Sequence, residues 1–278
     1  MALSFVPEIY SGIMLDSLKK SLVYAQPGVV NRDYEGDIAQ AGDSVKIASI
    51  SRPTISSYTK NATLTYETLT DAQRTLVVDQ QKSFSFSVDK IDQVQHPGGP
   101  LEAALVEAAY GLRDLADQYV AGLYTGAASA NQIGTVSVTT AALAYTQIRK
   151  LKVKLDEANV PQEGRWVVVP PWYEGLLLEE DKFVRVDASG SDQALRNGII
   201  GRALGFDVMA SNNAPLVTGD DYAVIAGHPS AISFAEQIVE IETLQLQTTF
   251  GTGVRGLHVY GAKLVRPDSI ATVVASIT

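Results

Sequence analysis

Leu101, Leu105, Ala108, Leu112, Leu115 and Tyr119 succeed one another at steps of 4, 3, 4, 3 and 4. That period marks a helix with one apolar face. His96-Pro97-Gly98-Gly99 stops whatever precedes it, and Pro100 suits the first turn of the helix that follows. Carried to about Gly126, the helix is ~40 Å long at ~1.5 Å per residue. The pattern ends before enough heptads accumulate for a coiled coil, so this rod is expected to lie against a sheet.

The stretch before it has the opposite character. Residues 49–70 hold ten Ser or Thr in 22 positions and show no helical period. Residues 63–66 and 83–88 alternate polar and apolar, with Phe84, Phe86 and Val88 on one face. Period-two runs rich in Thr, Tyr and Phe mark strands with one solvated face. The charged segment 67–74 between them reads as a turn. The expected element is a long two-stranded excursion with little core of its own. A lone hairpin is marginal in water, so this one needs support, and a neighbouring subunit is the natural source. Its aromatics, Tyr58, Tyr66, Phe84 and Phe86, are of the kind enriched between chains. Packing of Phe84 and Phe86 on their own domain is the equal alternative.

The first 25 residues read as an amphipathic helix carrying Ile9, Ile13, Leu15, Leu18 and Leu22, ended by Pro27-Gly28. Residues 31–42 read as an acidic, irregular arm. Residues 139–159 give a second helix with Ala144, Ile148, Leu151, Leu155 and Ala158 on one face. Residues 166–169, between Arg165 and Pro170, look like a buried strand. Pro171 opens a short helix through Leu178, and Ser191 caps another. Further strands are expected around 206–208, 223–226, 239–246 and 257–265, with a helical turn near 230–237. Helices and strands alternate without a regular βα rhythm, which predicts an α+β fold rather than a doubly wound one.

Composition narrows the function. With 46% hydrophobic and 19% charged residues, 22 Gly and 11 Pro, the chain is globular. The absence of Cys excludes a disulfide framework, a thiolate zinc site and a cysteine nucleophile. No apolar run approaches the ~18 residues of a membrane span, and no basic segment leads into an apolar one at the N-terminus. A soluble protein that is not secreted is expected. Twenty-two basic against 31 acidic side chains give a net charge of −9, which argues against gripping nucleic acid by charge.

One fingerprint appears. Gly251, Gly253 and Gly256 match G-x-G-x-x-G, which binds a dinucleotide only between a strand and a helix. Leu257-His258-Val259-Tyr260 follows as a strand pattern, so a glycine-rich connection between strands is expected instead. His96, His228 and His258 are scattered, and no H-E-x-x-H exists. Glu179-Glu180-Asp181 reads as a solvated rim, and Asn61-Ala62-Thr63 as a chance sequon. No nucleophile elbow or phosphate loop is present. The expectation is no catalytic residue, no cofactor-binding residue and no metal ligand.

Two blocks carry a resemblance. WVVVPP, YEGLLLEEDKF and ALRNGIIGRALGFDVMASNNAP, within residues 165–215, resemble the central region of tailed-bacteriophage major capsid proteins. AVIAGHPSAISFAEQIVEIETLQL and GTGVRGLHVYGAKLVRPDSI resemble their closing strands. The order of arm, long β loop, long helix, central domain and returning strands is also similar, so the likeness spans nearly the whole chain. It implies the Hong Kong 97-like capsid fold. On that reading residues 1–43 are an N-terminal arm and 44–95 an extended β loop reaching over a neighbour. Residues 96–138 and 222–278 form a peripheral domain with the spine helix, and 139–221 an axial domain.

The resemblance implies a structural protein rather than an enzyme, self-assembling into hexamers and pentamers of an icosahedral shell around double-stranded DNA. It implies no cofactor and no membrane. Expected partners are further copies of the chain, a separate scaffolding protein and a portal, with a decoration protein left open and DNA enclosed but not specifically bound. The expected locations are the virion and, during assembly, the host cytoplasm. An encapsulin-type compartment shell shares the fold and is the nearest alternative. A nucleotide-dependent enzyme using the glycine motif is the alternative of a different class.

Overall fold

The computed structural model describes residues 23–33, 44–50, 71–89, 100–180, 199–246 and 251–277, with single positions 55, 57, 60 and 66. The helix expected in the first 25 residues lies almost wholly outside the described residues, as do the helix start at Ser191, His96 and most of the run 63–66. In chain order the elements are β1 (Ser44–Ile50), β2 (Asp71–Val77), β3 (Gln80–Asp89), α1 (Pro100–Gly122), β4 (Gln132–Ser137), α2 (Ala141–Glu157), β5 (Arg165–Val169), α3 (Pro171–Leu178), β6 (Ile199–Ala203), β7 (Phe206–Ala210), β8 (Leu216–Thr218), β9 (Asp221–Gly227), β10 (Ile232–Gln245), β11 (Gly251–Leu264) and β12 (Ile270–Ser276).

β5 shows why the centre forms. Its sequence RWVVV is buried throughout. Strand alternation sends Trp166 and Val168 to one core and Val167 and Val169 to the other. A strand apolar on both faces needs cover on both. β5 accordingly lies inside a mixed seven-stranded sheet of order β4-β12-β9-β5-β7-β6, with short β8 attached to β9. On one face α2 and α3 bring Ile148, Leu151, Leu155, Tyr173 and Leu177 against Val167, Val208 and Val224. The Tyr173 hydroxyl donates to the Ala144 carbonyl at 2.7 Å, fixing the helices together. On the other face Tyr24, Val30, Ala116, Val120, Phe234 and Tyr260 pack over Trp166 and Val168.

A second, antiparallel sheet of order β10-β11-β3 carries the other half of α1. There Ala109 and Leu112 meet Ile241 and Val254, with Phe84 and Phe86 packed alongside. β1 and β2 form a separate antiparallel ladder from Ser44↔Val77 to Ile50↔Asp71. Its base is buried where Ile47, Leu76 and Val78 meet Ala235 and Val259.

The fold is α+β, as expected, but several local readings change. The segment 67–74 is not all turn, because residues from Asp71 on belong to β2. Nor does the run 83–88 form the second strand of a free excursion. It lies in β3, paired along its length with β11, and Phe84 and Phe86 pack on their own chain. The observed hairpin is β1–β2, joined by residues 51–70. The motif Gly251–Gly256 is not a connection but part of β11, paired on both sides. The helical turn near 230–237 is confined to Pro229–Ala231, after which β10 begins. α1 ends in a 3-10 turn at Leu123–Gly126, close to the expected limit. Among the described residues no helix is long and apolar enough to cross a membrane.

Candidate assembly surfaces

The helix period puts Leu115 on the inner face of α1, yet Leu115 is 42% exposed and Asp117 is 3% exposed. Backbone donors explain the exchange. One Asp117 carboxylate oxygen accepts from the N–H groups of Val23 (3.0 Å), Tyr24 (2.7 Å) and Ala25 (3.3 Å). Its other oxygen accepts from the Asn213 side-chain amide at 3.1 Å. Consecutive N–H groups converging on one oxygen make an anion nest, here filled by the chain's own carboxylate. Burial pushes the Asp117 carboxyl above its ordinary value, although Asn213 and the three N–H groups pull against it. Burial beside this carboxylate also pushes the Tyr24 hydroxyl up. Asp117 thereby ties the segment 23–30, the long helix and the loop after β7 to one point.

A second tie follows along the same segment. Arg32 donates to Glu236 at 2.7 Å and to the Ala25 carbonyl at 2.9 Å, and its guanidinium lies 4.9 Å from the Phe234 ring centre. Asn31 joins the edge of β10, donating to the Ile232 carbonyl at 2.8 Å and accepting from Phe234 N–H at 2.9 Å. The imidazole of His258 is wholly buried 3.7 Å from Glu236, an electrostatic neighbour rather than a hydrogen-bond partner. Burial opposes the charge of Glu236, but His258 and Arg32 hold its carboxyl below the ordinary glutamate value. Residues 23–33 are thus strapped to the body by charge-assisted bonds.

The residues weighed in the sequence do not converge. His258 is in this strap junction, whereas His228 caps the turn before β10, accepting from Ser230 N–H. Burial and the nearby Arg165 and Arg266 push the His228 imidazole down. Glu179 and Glu180 follow α3, and Asp181 lies outside the described residues. Among the described residues no three His, Asp or Glu side chains stand together as metal ligands. At the glycine motif, a Cβ on Gly256 would collide with the Phe84 ring, so that glycine makes room for an aromatic rather than a phosphate. No helix begins at the motif, because β11 runs on to Leu264.

What the surface offers instead is uncovered apolar area. Ile55 and Tyr66, both in the β1–β2 connection, are 94% and 96% exposed. Val106 and Tyr110 stand out from α1, and Leu216 and Val217 from β8. Exposed large apolar side chains mark contact surfaces when they gather on one element. Asp117 and the strap were not singled out by the sequence. The available signal was that Asp117 sits beside Ala116, Val120 and Ala121, in the middle of an apolar face.

Residues 71–273 match the model of a family described as phage capsid protein. A solved structure from Mycobacterium phage Che8 is similar at 34% identity, over 91% of either chain, with a TM-score of 0.75. The capsid structure of Cyanophage P-SCSP1u is similar at 16% identity, over 94% of this chain and 90% of that one, with a TM-score of 0.72. The mature capsid of bacteriophage PhiM1 is similar at 18% identity, over 88% and 83%, with a TM-score of 0.65. No curated protein matches the sequence. The chain belongs to the phage capsid proteins, as a major capsid protein of the tailed-bacteriophage kind.

Proposed function

We propose that this chain forms the hexamers and pentamers of an icosahedral shell that encloses the double-stranded DNA of a tailed bacteriophage. The observation that carries the reading is the near-complete exposure of Ile55 and Tyr66 on the connection of a hairpin whose base packs on the second sheet. Large apolar groups held in water at the end of a ladder favour burial against another subunit. On this reading residues 44–95 are the extended loop and 1–43 the arm. Residues 96–138 and 222–278 form the peripheral domain around α1, and 139–221 the axial domain around β5. The net charge of −9 lets duplex DNA slide within the shell without sticking. A separate scaffolding protein and a portal are the further partners on this reading, and assembly takes place in the host cytoplasm.

Negative-stain microscopy and sizing of the purified chain across a concentration series test this. Rings or closed particles are expected, with DNA inside those recovered from infected cells. A species of one chain, 29.8 kDa, at every concentration would overturn the proposal. Particles filled with protein cargo would point to a compartment shell.

A further inference from the structure

Residues 118–155 contain no Asp or Glu, yet they hold Arg149, Lys150, Lys152 and Lys154, all on α2. In a chain of net charge −9 this is a local inversion. The inner face of α2 is filled by Ala144, Ile148, Leu151 and Leu155, so helical geometry turns Arg149, Lys150 and Val153 outward. Lys152 pairs with Asp156 at 2.7 Å, a carboxylate that Arg165 shares, and Lys154 pairs with Glu157 at 3.4 Å. Arg149 and Lys150 have no ion-pair partner among the described residues, and Val153 beside them is 48% exposed. The face is therefore basic with an apolar centre.

A face of the opposite kind lies on a different element. The β8–β9 hairpin exposes Leu216 (58%) and Val217 (42%) and turns through Gly219 at φ 57 into Asp220 and Asp221. Neither aspartate has an ion-pair partner among the described residues. A ring of identical subunits needs two different, complementary surfaces per chain, because each copy meets the next head to tail. We propose that the outer face of α2 docks the β8–β9 hairpin of a second copy, pairing Arg149 and Lys150 with Asp220 and Asp221 around the apolar contact of Val153 with Leu216 and Val217. The inference rests on the ring-forming subunit described under Proposed function. It adds which surfaces close the ring.

The native chain has no Cys, so two can be introduced without background. Combining Lys150→Cys with Asp220→Cys and adding a short bis-maleimide under ring-forming conditions should link each chain to the next. A ladder running to five or six chains is expected on a denaturing gel. The single variants should give none, since a head-to-tail contact never brings a position against itself. Dimers only from the double variant, or dimers from either single variant, would overturn the pairing.

Charge reversal gives an independent reading. Arg149→Glu with Lys150→Glu should raise the concentration needed for assembly about tenfold, as should Asp220→Lys with Asp221→Lys, because like charges then face each other. Joining both pairs of changes in one chain should restore assembly to within about threefold of the original. Unaltered assembly in the single-face variants would sink the proposal. So would a loss on the α2 face that hairpin reversal fails to rescue, as contact with packaged DNA would produce. If the unaltered chain forms rings while these variants behave otherwise than expected, the pairing alone fails. If the unaltered chain stays monomeric, the ring reading fails and takes the pairing with it.

Discussion

The Asp117 carboxylate accepts the Tyr24 N–H at 2.7 Å across 93 residues of sequence, inside the core. An ionised acid in that position repays its loss of water only through the donors around it. Three successive N–H groups and the Asn213 amide supply them. The strap 23–33 is thus held by a charge that would be costly in an empty pocket.

Asp117→Ala therefore leaves buried N–H groups without an acceptor. A loss of about 3–5 kcal/mol is expected, which at this chain length lowers the melting temperature by roughly 10 °C. Scanning calorimetry measures it, and a shift of only a degree or two would mean that water replaces the carboxylate.

Glu236 sets an acid limit. Its folded carboxyl lies below the ordinary value of 4.5. The unfolded chain then takes up its proton first as pH falls. The stability contributed is complete above the unfolded value and disappears as pH drops through the folded one. Asp117, raised by burial, has the opposite dependence. The urea midpoint of the native chain should thus fall more steeply below about pH 5 than that of Glu236→Gln, which is less stable at neutral pH but lacks this titration. Parallel pH profiles for the two proteins would remove Glu236 from the account.

Gly256→Ala puts a methyl group against the Phe84 ring. Overpacking of this kind costs about 1–3 kcal/mol. Phe84→Ala in the same chain should recover part of the loss, and a double-mutant cycle in urea measures the coupling. Additive losses would show that the ring simply moves aside. Calorimetry of the native chain with NAD, FAD or ATP should show no saturable heat, because no helix N-terminus follows the glycines.

Replacing residues 53–69 by a short Gly-Ser linker should leave the sheet core intact while assembly fails or becomes irregular. Among the described residues α1 and β5 pack on the sheets and the segment 23–30. Circular dichroism and microscopy of the variant separate the two effects. Hydrogen exchange around Ile55 and Tyr66 should also slow on assembly. Equal, strong protection in free subunits and particles would mean that the connection packs on its own chain.

Much of this architecture is legible in the sequence where one local rule dominates. The period behind Pro100 gives α1, Pro171 at the first turn gives α3, and the apolar run 166–169 gives β5. The inner face of α2 follows from its period almost residue by residue. Elsewhere long-range pairing overrides local preference. Gly251, Gly253 and Gly256 weaken a strand by propensity, and only β3 and β10 on either side of β11 hold them extended. β4 has exposed, weakly patterned residues and exists because it lies parallel to β12. Ser83–Val88 alternates as a strand should, but alternation does not name the partner strand. The face of α1 is displaced from its apolar ridge by Asp117, whose donors lie in a segment that no helical period can reveal.

The placement of β12 also imposes an order in time. It lies between β4 and β9, so residues 270–276 separate a strand that ends at Ser137 from one that ends at Gly227. A nascent chain that stops short of Ile270 has a gap through the middle of its largest sheet, with Ile270, Val273 and Ala275 missing from the cores. Pairing over such separations is slow and depends on every segment being present. Chains cut short before Ile270 should therefore fail to complete this sheet, so the last strand to be made closes the fold.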